Sequence, residues 1–122
     1  MSYCTLEDIQ YVMDEDDVIR FTDDDDSGAV DTAVVDKAIA DAGALVDAYL
    51  AARYTVPMDP VPDVINGAAC DIAVYKISSR RGIAAEEVRK KFEDAGKFLE
   101  KLASGKAILP GATESASGST DT

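Results

Sequence analysis

The sequence predicts an all-α domain: a small bundle of four to five helices around one long central helix, with an extended C-terminal tail. Three stretches carry that expectation. From Asp31 to Tyr54, apolar residues (Val34/Val35, Ala38/Ile39, Ala42, Leu45/Val46, Tyr49/Leu50) recur every three or four positions, one stripe of a helix. After a proline-rich joint, Val64/Ile65, Ala68/Ala69, Ile72/Ala73 and Ile77 repeat the same period, and Val88, Phe92, Ala95, Leu99 and Leu102 do so again.

Taken in order, Thr5-Leu6-Glu7-Asp8 has the form of a helix start, with Thr5 as cap and Asp8 in the first turn. Leu6, Ile9, Val12 and Met13 continue it as a short amphipathic helix. Val18, Ile19 and Phe21 form a second short apolar turn, where period alone does not separate helix from strand. Asp23 to Asp31 is a loop by composition. The central helix then runs from Thr32 to Arg53, roughly 33 Å at 1.5 Å per residue, with Asp31 or Thr32 as cap. Pro57, Pro60 and Pro62 force an extended path and turn the chain back. Pro62 suits the first position of the next helix, which reaches about Ser79, with Arg80 and Arg81 at its negative end and Gly82 as its stop. The last helix spans about Ala84 to Ala103: Glu86 and Glu87 lie early, Lys97 and Lys101 late, and Gly105 ends it. Residues 1–105 are thus read as the helical domain and 106–122 as a tail. In that tail only Ile108 and Leu109 are markedly apolar, and Ala112 to Thr122 is Ser/Thr/Gly-rich. Ile108 and Leu109 are expected to dock on a neighbouring subunit or partner.

Composition narrows the function. The 122 residues carry 24 acids, 17 of them aspartate, against 12 bases, a net charge of −12. Such a chain repels nucleic-acid phosphates, and an aspartate excess suits concentrated salt, where screening removes self-repulsion. No apolar run approaches eighteen residues, so a membrane span is not expected. Histidine is absent, which removes the commonest general base and transition-metal ligand. Cys4 and Cys70 make no disulfide framework, and Cys70 is expected as a buried thiol.

Three features could carry more than packing. Taking Gly28 as the sixth position of a calcium-type loop puts Asp23, Asp25 and Ser27 at positions one, three and five and Asp31 at nine. Position twelve, where a bidentate glutamate belongs, is Val34. A weak Ca2+ or Mg2+ site is the most this pattern supports, and the preferred reading is a solvated acidic turn favouring the helix N-terminus that follows. Asp71, set among Ala68, Val74 and Tyr75, is expected to be partly buried and paired with Arg53 or Arg20. With no second placed carboxylate and no nucleophile nearby, catalysis is not expected. Finally, Ala40, Gly43/Ala44, Ala48 and Ala51 form a small-residue face, which serves either a subunit contact or helix propensity.

Tyr49-Leu50-x-x-Arg53-Tyr54-x-x-Pro57, then Val61-Pro62-x-x-Ile65, then Ala69-Cys70-Asp71-Ile72-Ala73-x-Tyr75 resembles the small Mu-like phage and prophage proteins of the head–tail connector class. Tyr3-x-Thr5-x-Glu7-Asp8 and the Thr22-Asp23 loop with Gly28 and Asp31 are similar too, so that the likeness covers about residues 3 to 109. The resemblance implies an α-helical adaptor in the virion neck. Such a protein would form a homo-oligomeric ring under the portal protein, matched to its twelvefold symmetry. It would meet a stopper or tail-completion protein on the other side, and DNA would pass through without sequence-specific binding. It implies no catalytic residues and no cofactor. The heavier acid load and polar tail set this chain apart and point to a virus of a halophilic, archaeal host. The alternative is a cation-binding helical module that regulates a partner through the Asp-rich loop.

Overall fold

The computed structural model describes residues 2–110. Among them the elements are helices α1 (Leu6–Val12), α2 (Glu15–Thr22), α3 (Thr32–Leu50), α4 (Asp63–Ser78) and α5 (Glu86–Ser104), with a 3-10 turn at Ser79–Arg81 and no strand. The all-α expectation holds. The ambiguous Val18–Phe21 stretch is helix α2, with Val18 and Thr22 on its buried side.

Local chemistry sets the ends of these helices. Thr5 and Asp8 form a full capping box on α1: each side chain accepts from the other's backbone N–H, at 3.1 and 3.0 Å. The Asp31 carboxylate accepts from the N–H groups of Ala33 and Val34 and caps α3. That helix stops at Leu50, a turn short of the expected Arg53. Pro62 is the cap of α4 rather than its first residue. Between them, the Val56–Pro57 and Asp59–Pro60 peptide bonds are cis.

All four other helices pack against α4, and α3 and α5 also touch each other. Ile65, Ala69, Ile72, Ala73 and Ile77 of α4 are buried, as are Val35, Val46 and Leu50 of α3 and Leu99 and Leu102 of α5. Each fully buried Val, Leu or Ile contributes about 1.5–3 kcal/mol of transfer free energy. The alanines of α4 supply helix propensity and close approach together. At the edge of this core the Tyr75 and Phe92 rings stack at 4.2 Å, joining α4 to α5.

The C-terminal segment departs from expectation. Gly105 takes the left-handed conformation (φ 82°) that ends α5, and the Ala107 N–H bonds back to the Lys101 carbonyl at 3.1 Å. The positive φ favours glycine here, and a methyl group at this position would lie 3.0 Å from the Arg53 guanidinium, which would have to shift slightly. The turn folds the chain back on its own domain. Leu109 is 2 % exposed within the core, and its N–H donates to the buried Tyr54 hydroxyl at 3.2 Å. The expected outward docking of Leu109 is therefore corrected: this side chain completes the monomer's own core, because a Schellman-like turn reverses its direction. Ile108, on the opposite side of the extended chain, is 68 % exposed. The expected tail at Ala112 to Thr122 lies outside the described residues.

Leu109→Ala should destabilise the isolated chain by about 2–5 kcal/mol, and truncation after Gly105 by at least as much. Urea unfolding followed by circular dichroism measures both. An unchanged midpoint on truncation would show that the segment does not belong to the core.

Candidate functional site

The Asp-rich loop is the site singled out by the sequence, and its geometry is that of a brace between α2 and α4. Thr22, fully buried at the end of α2, donates its hydroxyl to the Val18 carbonyl at 2.8 Å and accepts the Asp31 N–H at 3.1 Å. One side chain thus ties both ends of the loop together. Inside the loop, Asp23 accepts the Ser27 N–H and hydroxyl, both at 3.0 Å, and the Gly28 N–H at 2.7 Å. Those donors hold its carboxyl below the usual carboxylate range, the Ser27 amide first. Asp26 and Gly28 both take positive φ, at 56° and 80°, which closes the turn.

Of the four side chains proposed for a cation, Ser27 and Asp23 bond to each other. Asp23 is occupied by the loop's own donors, Asp31 faces the first turn of α3, and Asp25 and Ser27 lie exposed. Among the described residues no group of three or more His, Cys, Asp or Glu side chains is placed to hold a metal ion. The loop closes around a carboxylate where a calcium loop would close around an ion.

Sequence reasoning missed the loop's outer partners. Arg80 and Arg81 each reach Asp24 at 2.7 Å. Arg80 also donates to the Phe21 carbonyl at 2.6 Å, and Arg81 to the carbonyls of Arg20 and Asp23. The pair thus satisfies carbonyls that the end of α2 leaves open while neutralising Asp24. The Arg80 guanidinium, followed by Arg81, holds the Asp24 carboxyl low. The sequence alone suggests only that both arginines complement the dipole of their own helix. Two adjacent arginines in a chain with one four-aspartate run were the available signal.

A second polar knot fixes the N-terminal segment. The Tyr3 hydroxyl donates to Asp47 on α3 and accepts the Met58 N–H at 2.8 Å. The Asn66 amide of α4 donates to the Tyr3 carbonyl and to Asp8, at 2.9 and 3.0 Å. Burial and the Asp47 bond push the Tyr3 phenol up to about 12. Gly43 packs beside the Tyr3 ring, whereas Ala40, Ala44, Ala48 and Ala51 of the small-residue face remain exposed. Cys4 and Cys70 are buried free thiols, pushed by desolvation up to about 12 and about 11. Neither has the depressed value of a reactive cysteine.

Asp71 corrects an expectation. Arg20 pairs with Asp17 at 3.0 Å and lies over the Phe21 ring, and the Arg53 guanidinium sits against Gly105. Neither ion pair forms with Asp71, because Asp71 faces α5. It lines a groove there with Asp94. Burial pushes its carboxyl up, Lys91 offsets part of this, and Asp94 adds to it.

The signs follow directly. Asp8, Asp23, Asp24 and Asp41 have lowered folded-state values. They stabilise the fold above the unfolded carboxylate pKa of about 3.9 and lose that contribution as pH falls through the folded values. Asp71 is raised, so its ionisation penalises the fold at neutral pH, and the penalty lifts as pH falls. Asp71→Asn should therefore raise the melting temperature at pH 7 and leave it unchanged near pH 3. Scanning calorimetry at the two pH values tests this; a neutral-pH loss would restore the ion-pair reading.

Comparison with known proteins places this architecture. A sequence profile described as "Bacteriophage Mu, Gp36" matches residues 3–122. The "Mu-like prophage FluMu protein gp36" of Haemophilus influenzae is 40% identical over 81 residues, 66% of this chain but only 56% of that protein's length. "Gene product J" of Escherichia phage Mu is 31% identical over 108 residues, covering 87% of this chain and 74% of that protein. The matched region takes in the capping box, the braced loop, the proline joint and α4 together. The chain belongs to the phage protein family described as Bacteriophage Mu, Gp36.

Proposed function

We propose that the chain is a structural, non-enzymatic protein of the phage particle: a head–tail connector in the neck. In this reading it forms a homo-oligomeric ring beneath the portal protein, matches the portal's twelvefold symmetry, and hands over to a stopper or tail-completion protein. The observation that carries the reading is the match to a phage protein family over residues 3–122. The use of polar groups supports the finer role. Asp23, Asp24, Asp31, Tyr3 and Asn66 hold helices and loops to one another, as a scaffold requires. A net charge of −12 would keep DNA from adhering as it passes. No helix among the described residues is long and apolar enough to cross a membrane.

Electron microscopy of the purified chain, alone and with the portal protein of its phage, tests the proposal. Rings that stack on the portal are the expected result; a chain that neither forms rings nor binds the portal would refute it. The acid excess further supports a virus of a halophilic, archaeal host. Its melting temperature should then rise between dilute buffer and molar KCl, and a flat or falling curve would remove that part of the reading.

A further inference from the structure

Although the chain is acidic overall, the grooves on the two flanks of α4 carry opposite charge. Between α4 and α5 lies a groove of about 340 Å³ with Val64, Ala68, Ala95 and Phe98 along its floor and Asp71 and Asp94 on its walls. A methyl group at Gly67 would touch nothing there, so the floor stands open. Neither Asp71 nor Asp94 has an ion pair among the described residues. Between α3 and α4 lies a second groove, of about 400 Å³, floored by Ala33, Val34 and Ala38. Its rim holds Lys37, Lys76 and Arg80 against the single carboxylate of Asp41. Lys37 is paired with Asp41 and Arg80 with Asp24, while Lys76 makes no ion pair among the described residues and shares the field of Asp41 with Lys37, so the rim keeps an excess of positive charge. Asp71 and Lys76 are five residues apart on α4, about 140° around the helix, so the two grooves face different ways.

We propose that these grooves are the two halves of a head-to-tail contact between copies of this chain, the lysine-bearing α3/α4 rim of one copy entering the acidic α4/α5 groove of the next. The proposal rests on the ring reading above and names the surfaces that build the ring. Lys37 and Lys76 would lay their apolar stems over the Val64–Phe98 floor and bring their ammonium groups to Asp71 and Asp94. Each copy then uses two different surfaces. Such a heterologous contact generates a ring when its rotation closes. Opposite local charge is also what allows copies of net charge −12 to approach in one orientation and not in others.

The test uses two variants of the full chain, Asp71→Lys/Asp94→Lys and Lys37→Glu/Lys76→Glu, followed by sedimentation velocity. In each variant alone the facing grooves carry like charge, and self-association should weaken at least about tenfold. In an equimolar mixture every contact is again between opposite charges, and assembly should return to within about threefold of wild type. Should either variant fail to fold by circular dichroism, Asp71→Asn/Asp94→Asn and Lys37→Gln/Lys76→Gln read the same contact, each weakening assembly. Undiminished assembly of the variants, or a mixture that does not recover, overturns the proposed contact while leaving the ring reading intact. A wild-type chain that stays monomeric at every concentration, alone and with the portal protein, overturns both.

Discussion

The fold depends on one helix that cannot exist in water by itself. Helix α4 is apolar around most of its circumference, with Ile65, Ala68, Ala69, Cys70, Ile72, Ala73, Val74 and Ile77 all buried. A helix with so little polar face must be covered on several sides, and α3, α5, α1 and α2 supply the cover. Its small residues let α3 and α5 approach closely. The proline joint before it and the Arg80–Arg81 turn after it fix where the flanking elements enter and leave. Each of the polar knots described above has an end on this helix or on the turn that follows it.

That dependence explains how the acid load is used. Carboxylates sit where a helix or loop lacks an acceptor: Asp8 and Asp31 at helix starts, Asp23 inside its loop, Asp24 between two arginines. Donors around Asp8, Asp23 and Asp24 favour their ionised forms, and Asp31 accepts two backbone N–H groups, so charge is converted into local order. The exposed ion pairs, such as Lys37 with Asp41 and Arg89 with Glu93, add little individually. Asp71 is the exception, a half-buried carboxylate whose nearest charged neighbours only partly compensate it. A group with that cost in the monomer is better explained by something the monomer lacks.

Much of this was legible in the sequence because it is local. The capping box at Thr5 and Asp8, the Asp31 cap, the glycine stop at Gly105 and the helical periods of α3, α4 and α5 all rest on residues within a turn of one another. What escaped was long-range. The Asp24 clamp joins residues 56 and 57 positions apart, and the Tyr3 hydroxyl reaches Met58 across 55. Leu109 read as an outward-facing docking residue because its apolar character says nothing about direction; the turn at Gly105 decides that. The Asp-rich loop has nearly the right spacing for a cation, and what differs is the path of its backbone amides toward Asp23. Spacing alone does not report whether a carboxylate faces an ion or an N–H group.

A braced helical domain in a family of phage proteins is best understood through the particle it would build. Cross-linking mass spectrometry on purified virus particles addresses that most directly. A connector should be present in the copy number of one ring and cross-linked to the portal protein. Its absence from mature particles, with the protein still abundant in the infected cell, would contradict the connector role.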